Sequence, residues 1–212
     1  MVKPHGQTAA APADDETPQR ILLAAHEVFL EMGTARATTQ AIADRAGVNK
    51  ALLHYYFGTK AELARVILSR AHAELWPAIL GIMADPARPL EQKLRDVVAF
   101  EIDFLRARPY LPRFVAAELH TSPEFVLDQF AQRGGAPLAL IQAQLDAEAA
   151  AGRIRPLVAG QLLVTVISSI VFPFVARPVL EATGIAGPLG FDAFLDERKA
   201  FLTDFLLAAI RP

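Results

Sequence analysis

Asn49, Lys50, Ala51 and Leu52 stand together in the stretch GVNKALLHYYFGTK, Gly47 to Lys60, with His54, Tyr55, Tyr56 and Lys60 close behind. These residue types suit a polyanion whose edges can be read. A lysine amine donates to guanine O6 or N7, or pairs with a phosphate, and small apolar groups such as Ala51 and Leu52 touch a thymine methyl. Histidine and tyrosine pack a ring against a sugar-phosphate wall and offer a polar tip to it. Thr39 and Gln40 lie upstream at the start of a short helix, where free backbone N–H groups and a hydroxyl suit a phosphate. Lys60 opens a further helix, and its amine would have to reach sideways to a phosphate, because that end of a helix favours anions. Taken singly these are ordinary surface residues, so the weight rests on their arrangement.

The elements that must hold them are helices. Thr17-Pro18 supplies an N-cap and a proline at the first helical position; Ile21, Ala25, Val28, Phe29 and Met32 then mark one apolar face, and Gly33 ends it. Thr38 and Thr39 open a second helix, TQAIADRAG, with Ile42, Ala43 and Ala46 inward and Gly47 as its stop. Asn49 caps a third helix running to about Tyr56. Consecutive helical residues point about 100° apart, so the crowded rings must divide: Leu53 and Phe57 inward, His54, Tyr55 and Tyr56 outward. Thr59 and Glu62 form a capping box that starts a fourth helix, which runs to about Trp76 or beyond with a kink expected at Pro77. The tight Ala46-Gly47-Val48 turn sets the second and third helices at a steep angle. That is a helix-turn-helix, whose second helix enters the major groove by its N-terminal residues.

The stretch TTQAIADRAGVNKALLHYYFGTKAEL, Thr38 to Leu63, resembles the TetR family of bacterial transcriptional regulators. The matching elements are the pair Ile42-Ala43, the run Ala46 to Val48, the small polar Asn49, the leucine and aromatics from Leu53 to Phe57, and the turn with lysine from Gly58 to Lys60. Leu63 follows three positions later. The resemblance covers about residues 17–65. It departs at His54, where the family usually carries a tyrosine on a phosphate; a histidine makes that contact sensitive to protonation near neutral pH. The resemblance implies a homodimer on a near-palindromic double-stranded DNA operator. It also implies a C-terminal domain that binds a small-molecule effector and dimerises through its last two long helices, about residues 157–175 and 192–209.

Composition is consistent with two jobs in one chain of 212 residues. Residues 17–70 hold seven Lys/Arg against four acids, although the whole chain has a net charge of −2. The absence of cysteine excludes disulfides, thiolate metal sites and cysteine nucleophiles. Residues 1–16 read as a disordered tail without the apolar core of a secretory signal, and the expected location is the cytoplasm. The stretch Leu157 to Ala176 is uncharged and long enough to span a bilayer, yet Gln161, Thr165, Ser168, Ser169 and Pro173 favour a helix buried in a core or an interface. No membrane is expected as a partner.

The remaining helices are expected at about Leu90–Ala107, Pro109–His120, Pro123–Ala151 with an interruption at Gly134-Gly135, Leu157–Val175 and Asp192–Ala209. The fold class is therefore all-α, about nine helices: a three-helix head over residues 17–65 and a larger helical domain over 66–212. Recurrent aromatics in the larger domain suggest an apolar pocket for a lipophilic or aromatic molecule, with Trp76, Phe100, Phe104, Phe114, Glu118 and Phe172 as candidate contacts. His72, Glu101, Arg113 and His120 are further polar candidates. No phosphate-binding glycine loop, nucleophile elbow or Glu-x-x-His pair is present, so neither an enzyme, a cofactor nor a metal is expected. The function that follows is a ligand-responsive repressor. A non-specific DNA-packaging protein and a membrane-tethered regulator are the alternatives.

Overall fold

The computed structural model describes residues 16–131 and 138–212, and among them every regular element is a helix. The elements are α1 (Glu16–Arg36), α2 (Thr39–Ala46), α3 (Lys50–Phe57), α4 (Lys60–Ala84), α5 (Leu90–Arg106), α6 (Leu111–Thr121), α7 (Pro123–Ala131), α8 (Leu138–Ala150), α9 (Ala159–Ala182) and α10 (Phe191–Ile210). The expected tail and Gly134-Gly135 lie outside the described residues, apart from Glu16, which is already helical. The chain separates into two compact units, Met1–Ile67 and Leu68–Pro212, so α4 contributes residues to both.

In the first unit the capping residues act where the sequence places them. The Thr38 hydroxyl accepts from Ala41 N–H at 3.1 Å, and the Asn49 side chain accepts from Leu52 N–H at 2.7 Å. Thr59 N–H donates to the Glu62 carboxylate at 2.7 Å while Glu62 N–H donates back to the Thr59 hydroxyl at 3.2 Å, a closed capping box. Gly47 turns the chain in the left-handed region (φ 65°), and Val48 N–H reaches back to Ala43 C=O at 3.0 Å. This is the bond pattern that ends a helix sharply. Ile21, Val28, Phe29, Ile42, Leu53 and Leu63 are almost wholly buried here; each such side chain stabilises by about 1.5–3 kcal/mol.

The second unit is organised by amphipathic α5, which buries Leu90, Leu94, Val97, Val98 and Ile102 on one stripe. A continuous apolar cluster joins that stripe to Met83, Ile141, Leu145, Ile154 and Ile210. Gln142 of α8 ties down the start of α9, accepting from Ala159 N–H and donating to Leu157 C=O, both at 2.9 Å.

α4 passes Pro77 and continues to Ala84, within the expected run to Trp76 or beyond. α9 outruns the sequence expectation, passing Pro173 and Pro178 to reach Ala182 rather than stopping near Val175. A proline inside a helix leaves the carbonyl four residues back without its donor. For Pro173 that carbonyl is Ser169 C=O, and the Arg198 guanidinium of α10 donates to it at 2.8 and 3.2 Å. A distant residue thus replaces the missing N–H.

By length and hydropathy α9 could cross a bilayer. In this fold Val166, Ile170, Pro173 and Phe174 are buried against the rest of the unit, while Val164, Phe172, Val175 and Val179 face outward.

Candidate functional site

α3 presents its residues in two sets. Leu53 is wholly buried and Phe57 half-buried, whereas Lys50, Ala51, His54 and Tyr55 are exposed along the opposite face, Tyr55 at 80%. Leu52 and Tyr56 lie between, and the Tyr55 and Tyr56 rings meet edge to face with centroids 5.2 Å apart. Lys50 makes no hydrogen bond or ion pair among the described residues, so its amine is free for an outside acceptor. The Asn49 oxygen is committed to capping α3, which leaves its amide N–H groups outward. Thr39 is half-buried at the start of α2, and Gln40 is exposed but donates to Asp44 at 2.7 Å.

Several of the cations counted in the head are committed to partners within it. Arg20 donates to Ala46 C=O at 3.2 Å, covering the C-terminal end of α2 where a cation is favoured. Arg45 joins α2 to α1 through Glu27 at 3.1 Å and Glu31 at 2.7 Å, and its guanidinium holds the Glu31 carboxyl below the usual range.

Lys60 requires a correction. It was expected to reach a phosphate, but its Nζ donates to Thr34 C=O at 2.8 Å, Ala37 C=O at 2.9 Å and Ala35 C=O at 3.4 Å. These carbonyls belong to the last turn of α1, after Gly33, and to the residue that follows it, where the helix stops at Arg36 and supplies no further N–H. Three donors on one ammonium close that gap, so Lys60 is a structural clamp. Lys60→Met should lower the unfolding free energy by about 2 kcal/mol, measured by urea denaturation. DNA affinity per folded molecule should stay unchanged; weaker binding at unchanged stability would return the amine to the DNA.

The second unit contains a partly open, mostly apolar cavity of about 180 Å³. His72 and Trp76 of α4, Glu101 and Phe104 of α5, Leu111 of α6 and Val166 of α9 represent its four walls. Of the aromatic candidates, Trp76 and Phe104 line it. Phe100 packs on Phe104 with centroids 6.1 Å apart but does not reach the cavity, and Phe114 and Glu118 are buried outside its walls. Phe172 was misplaced: it is 63% exposed on the outward stripe of α9, because the buried phase of that helix runs through Val166, Ile170 and Pro173. Arg113 and His120 are exposed. The aliphatic wall from α9 was missed, although the uncharged run of that helix was its signal.

Glu101 is the polar centre of this cavity. It is 6% exposed, and among the described residues its carboxyl makes no hydrogen bond or ion pair. Burial pushes that carboxyl up to about 7. A wider depression of about 510 Å³, bordered by Glu91, Glu148, Arg153 and Arg211, is more open. Two of its charges pair with each other at the surface, Arg153 with Glu148 at 2.6 Å. The apolar space around the buried Glu101 is the better candidate for a ligand site.

A chain whose described elements are all helical, with a capped helix-turn-helix in its first unit and a cavity in its second, has the make-up of the helix-turn-helix regulators. Residues 21–67 match the family described as bacterial regulatory proteins, tetR family. The chain is 32% identical over 100 residues to the uncharacterised HTH-type transcriptional regulator TtgW of Pseudomonas putida, covering 41% of this chain and 75% of that one. It is 34% identical over 104 residues to the HTH-type transcriptional repressor NicS of Pseudomonas putida, covering 49% of each. The chain spans about half the length of the first curated relatives it matches. A crystal structure of a TetR/AcrR-family regulator from Thermobifida fusca superposes with a TM-score of 0.66 at 18% identity, over 93% of this chain and all of that one. The chain belongs to the tetR family of bacterial regulatory proteins.

Proposed function

We propose that the protein is a ligand-responsive transcriptional repressor that holds a near-palindromic operator as a homodimer and releases it when a small lipophilic effector fills the α4–α5–α6–α9 cavity. The observation that carries this is the outward face of α3, where an unpaired Lys50 stands beside Ala51, His54 and Tyr55. Asn49, Leu52, Tyr56, Thr39 and Gln40 complete the proposed DNA contacts, Lys50 and Ala51 at base edges and the others at the backbone. Residues 17–65 form the DNA-binding domain and 66–212 the effector and dimerisation domain in this proposal. The cytoplasm is where such a protein meets its operator.

Two half-sites must sit roughly 34–36 Å apart on one DNA face, so a small change in the spacing of two heads weakens binding. α4 supplies Lys60–Ile67 to the first unit and His72 and Trp76 to the cavity wall. An effector that favours a different α4 position therefore favours a different spacing, in proportion to its differential affinity for the two states. Non-specific packaging is disfavoured, because Arg20, Arg45 and Lys60 are committed within the head and little counterion release is left to drive it. A membrane tether through α9 is disfavoured by the burial of its inner face.

The test is selection of a site from random DNA followed by Lys50→Ala. Binding should weaken by about 1–3 kcal/mol at fixed salt, read by gel shift, with a salt slope shallower by at most about one unit. Equal affinity of the wild-type protein for the selected site and for random DNA would remove the regulator proposal. Unchanged affinity of the variant would remove Lys50 from the interface.

A further inference from the structure

We infer that the effector is a hydrophobic molecule carrying a single cationic amine, seated with its ammonium against Glu101 and its hydrocarbon body between α4, α5, α6 and α9. This rests on the cavity being the effector site. The walls from α6 and α9 are wholly uncharged. Glu101 on α5 and His72 on α4 are the titratable groups in the lining. Arg108, one turn beyond the lining residue Phe104, is held away by Glu74 at 2.7 Å and lies over the Phe104 ring at 4.1 Å. No cation of the described protein therefore reaches Glu101.

An unpaired carboxyl in an apolar enclosure is costly in its charged form, and each ligand class meets that cost differently. A neutral hydrocarbon completes the desolvation and leaves the carboxyl unpaired. A carboxylate adds a like charge. A cationic amine supplies the missing partner and makes charge-assisted hydrogen bonds in a site sheltered from water. Seating it expels the Glu101 proton to solvent, so amine affinity should rise as pH climbs to just above 7. It should then hold until the amine itself deprotonates near pH ~10. His72 also lines the cavity, and Glu101→Gln retains it, so the variant isolates the part played by the carboxyl.

Trp76 is the chain's single tryptophan and lines the cavity, so its fluorescence reports occupancy. Phenylbutylamine, phenylbutanol and phenylbutyrate share one skeleton and differ in the head group. At pH 8 the amine is expected to bind the wild-type protein about tenfold tighter than the alcohol, equivalent to about 1.4 kcal/mol, with the carboxylate weakest. Glu101→Gln should bring amine and alcohol to within about twofold. If the alcohol or the carboxylate binds the wild-type protein as tightly as the amine, the cationic class is overturned and the cavity stands. If none of the three binds, the cavity itself is overturned as the effector site.

Discussion

Replacing Phe172 on α9 and Phe201 on α10 with glutamate is expected to leave a folded chain that is monomeric and no longer holds a two-half-site operator. Phe172 is 63% exposed and Phe201 63% exposed. Val164, Val175 and Val179 continue the outward stripe on α9, and Phe205, stacked on Phe201 with centroids 6.2 Å apart, continues that on α10. Apolar stripes of this kind on two long helices mark a surface that another protein covers. A second copy of the chain fits, because the stripes require no charged partner and the operator proposed above requires two heads. A stable dimer needs about 800 Å² from each partner, which two helices of 24 and 20 residues can present.

Glutamate on an exposed position costs the isolated fold little, within about 0.5 kcal/mol, but two buried charges facing two more would prevent association. Loss of the second head removes the avidity of paired binding, a factor of about 10²–10⁴. Sedimentation velocity should show a monomer with unchanged helical circular dichroism, and operator affinity should fall by at least about a hundredfold. A variant that remains dimeric would place the interface elsewhere.

What could be foreseen in the sequence was local, and what could not was set by distant partners. Thr38, Asn49 and the Thr59–Glu62 box act within three residues of themselves, so their spacing was enough. The split of α3 into a buried Leu53 and an exposed His54 and Tyr55 followed from helical geometry alone. Lys60 was misassigned because its acceptors lie 23 to 26 residues away, at the end of α1, where no pattern near Lys60 reveals them. α9 also runs past its expected end near Val175, through Pro178 to Ala182; within it Arg198, 29 residues from Ser169, satisfies the carbonyl that Pro173 orphans, a partner no local pattern reveals. Phe172 failed on phase. An almost uniformly apolar helix has no polar face to say which side turns inward, and only its packing against the other helices decides. The cavity wall is assembled from four helices, so Glu101 stood out in the sequence only as one polar candidate among several.

Glu101→Gln is expected to raise stability at alkaline pH and to flatten a pH dependence that the wild-type protein shows. In the unfolded chain this carboxyl titrates near 4.5, and in the fold burial raises it to about 7. Between those values the folded state holds the proton that the unfolded state has released. Stability therefore falls as pH rises through this window and levels off above it. A gap of this size corresponds to about 3 kcal/mol, a large part of the stability of an ordinary domain. Glutamine keeps the size of the side chain and cannot ionise. The variant should match the wild-type protein near pH 4.5 and exceed it by up to about 3 kcal/mol at pH 8, measured by urea denaturation at each pH. His72 is present in both proteins, so their difference isolates the carboxyl. A cationic ligand should remove the same difference by pairing the charge that the fold leaves alone. Parallel pH profiles for variant and wild-type protein would mean that Glu101 is solvated in the folded state, and the cavity would then lose its charged centre.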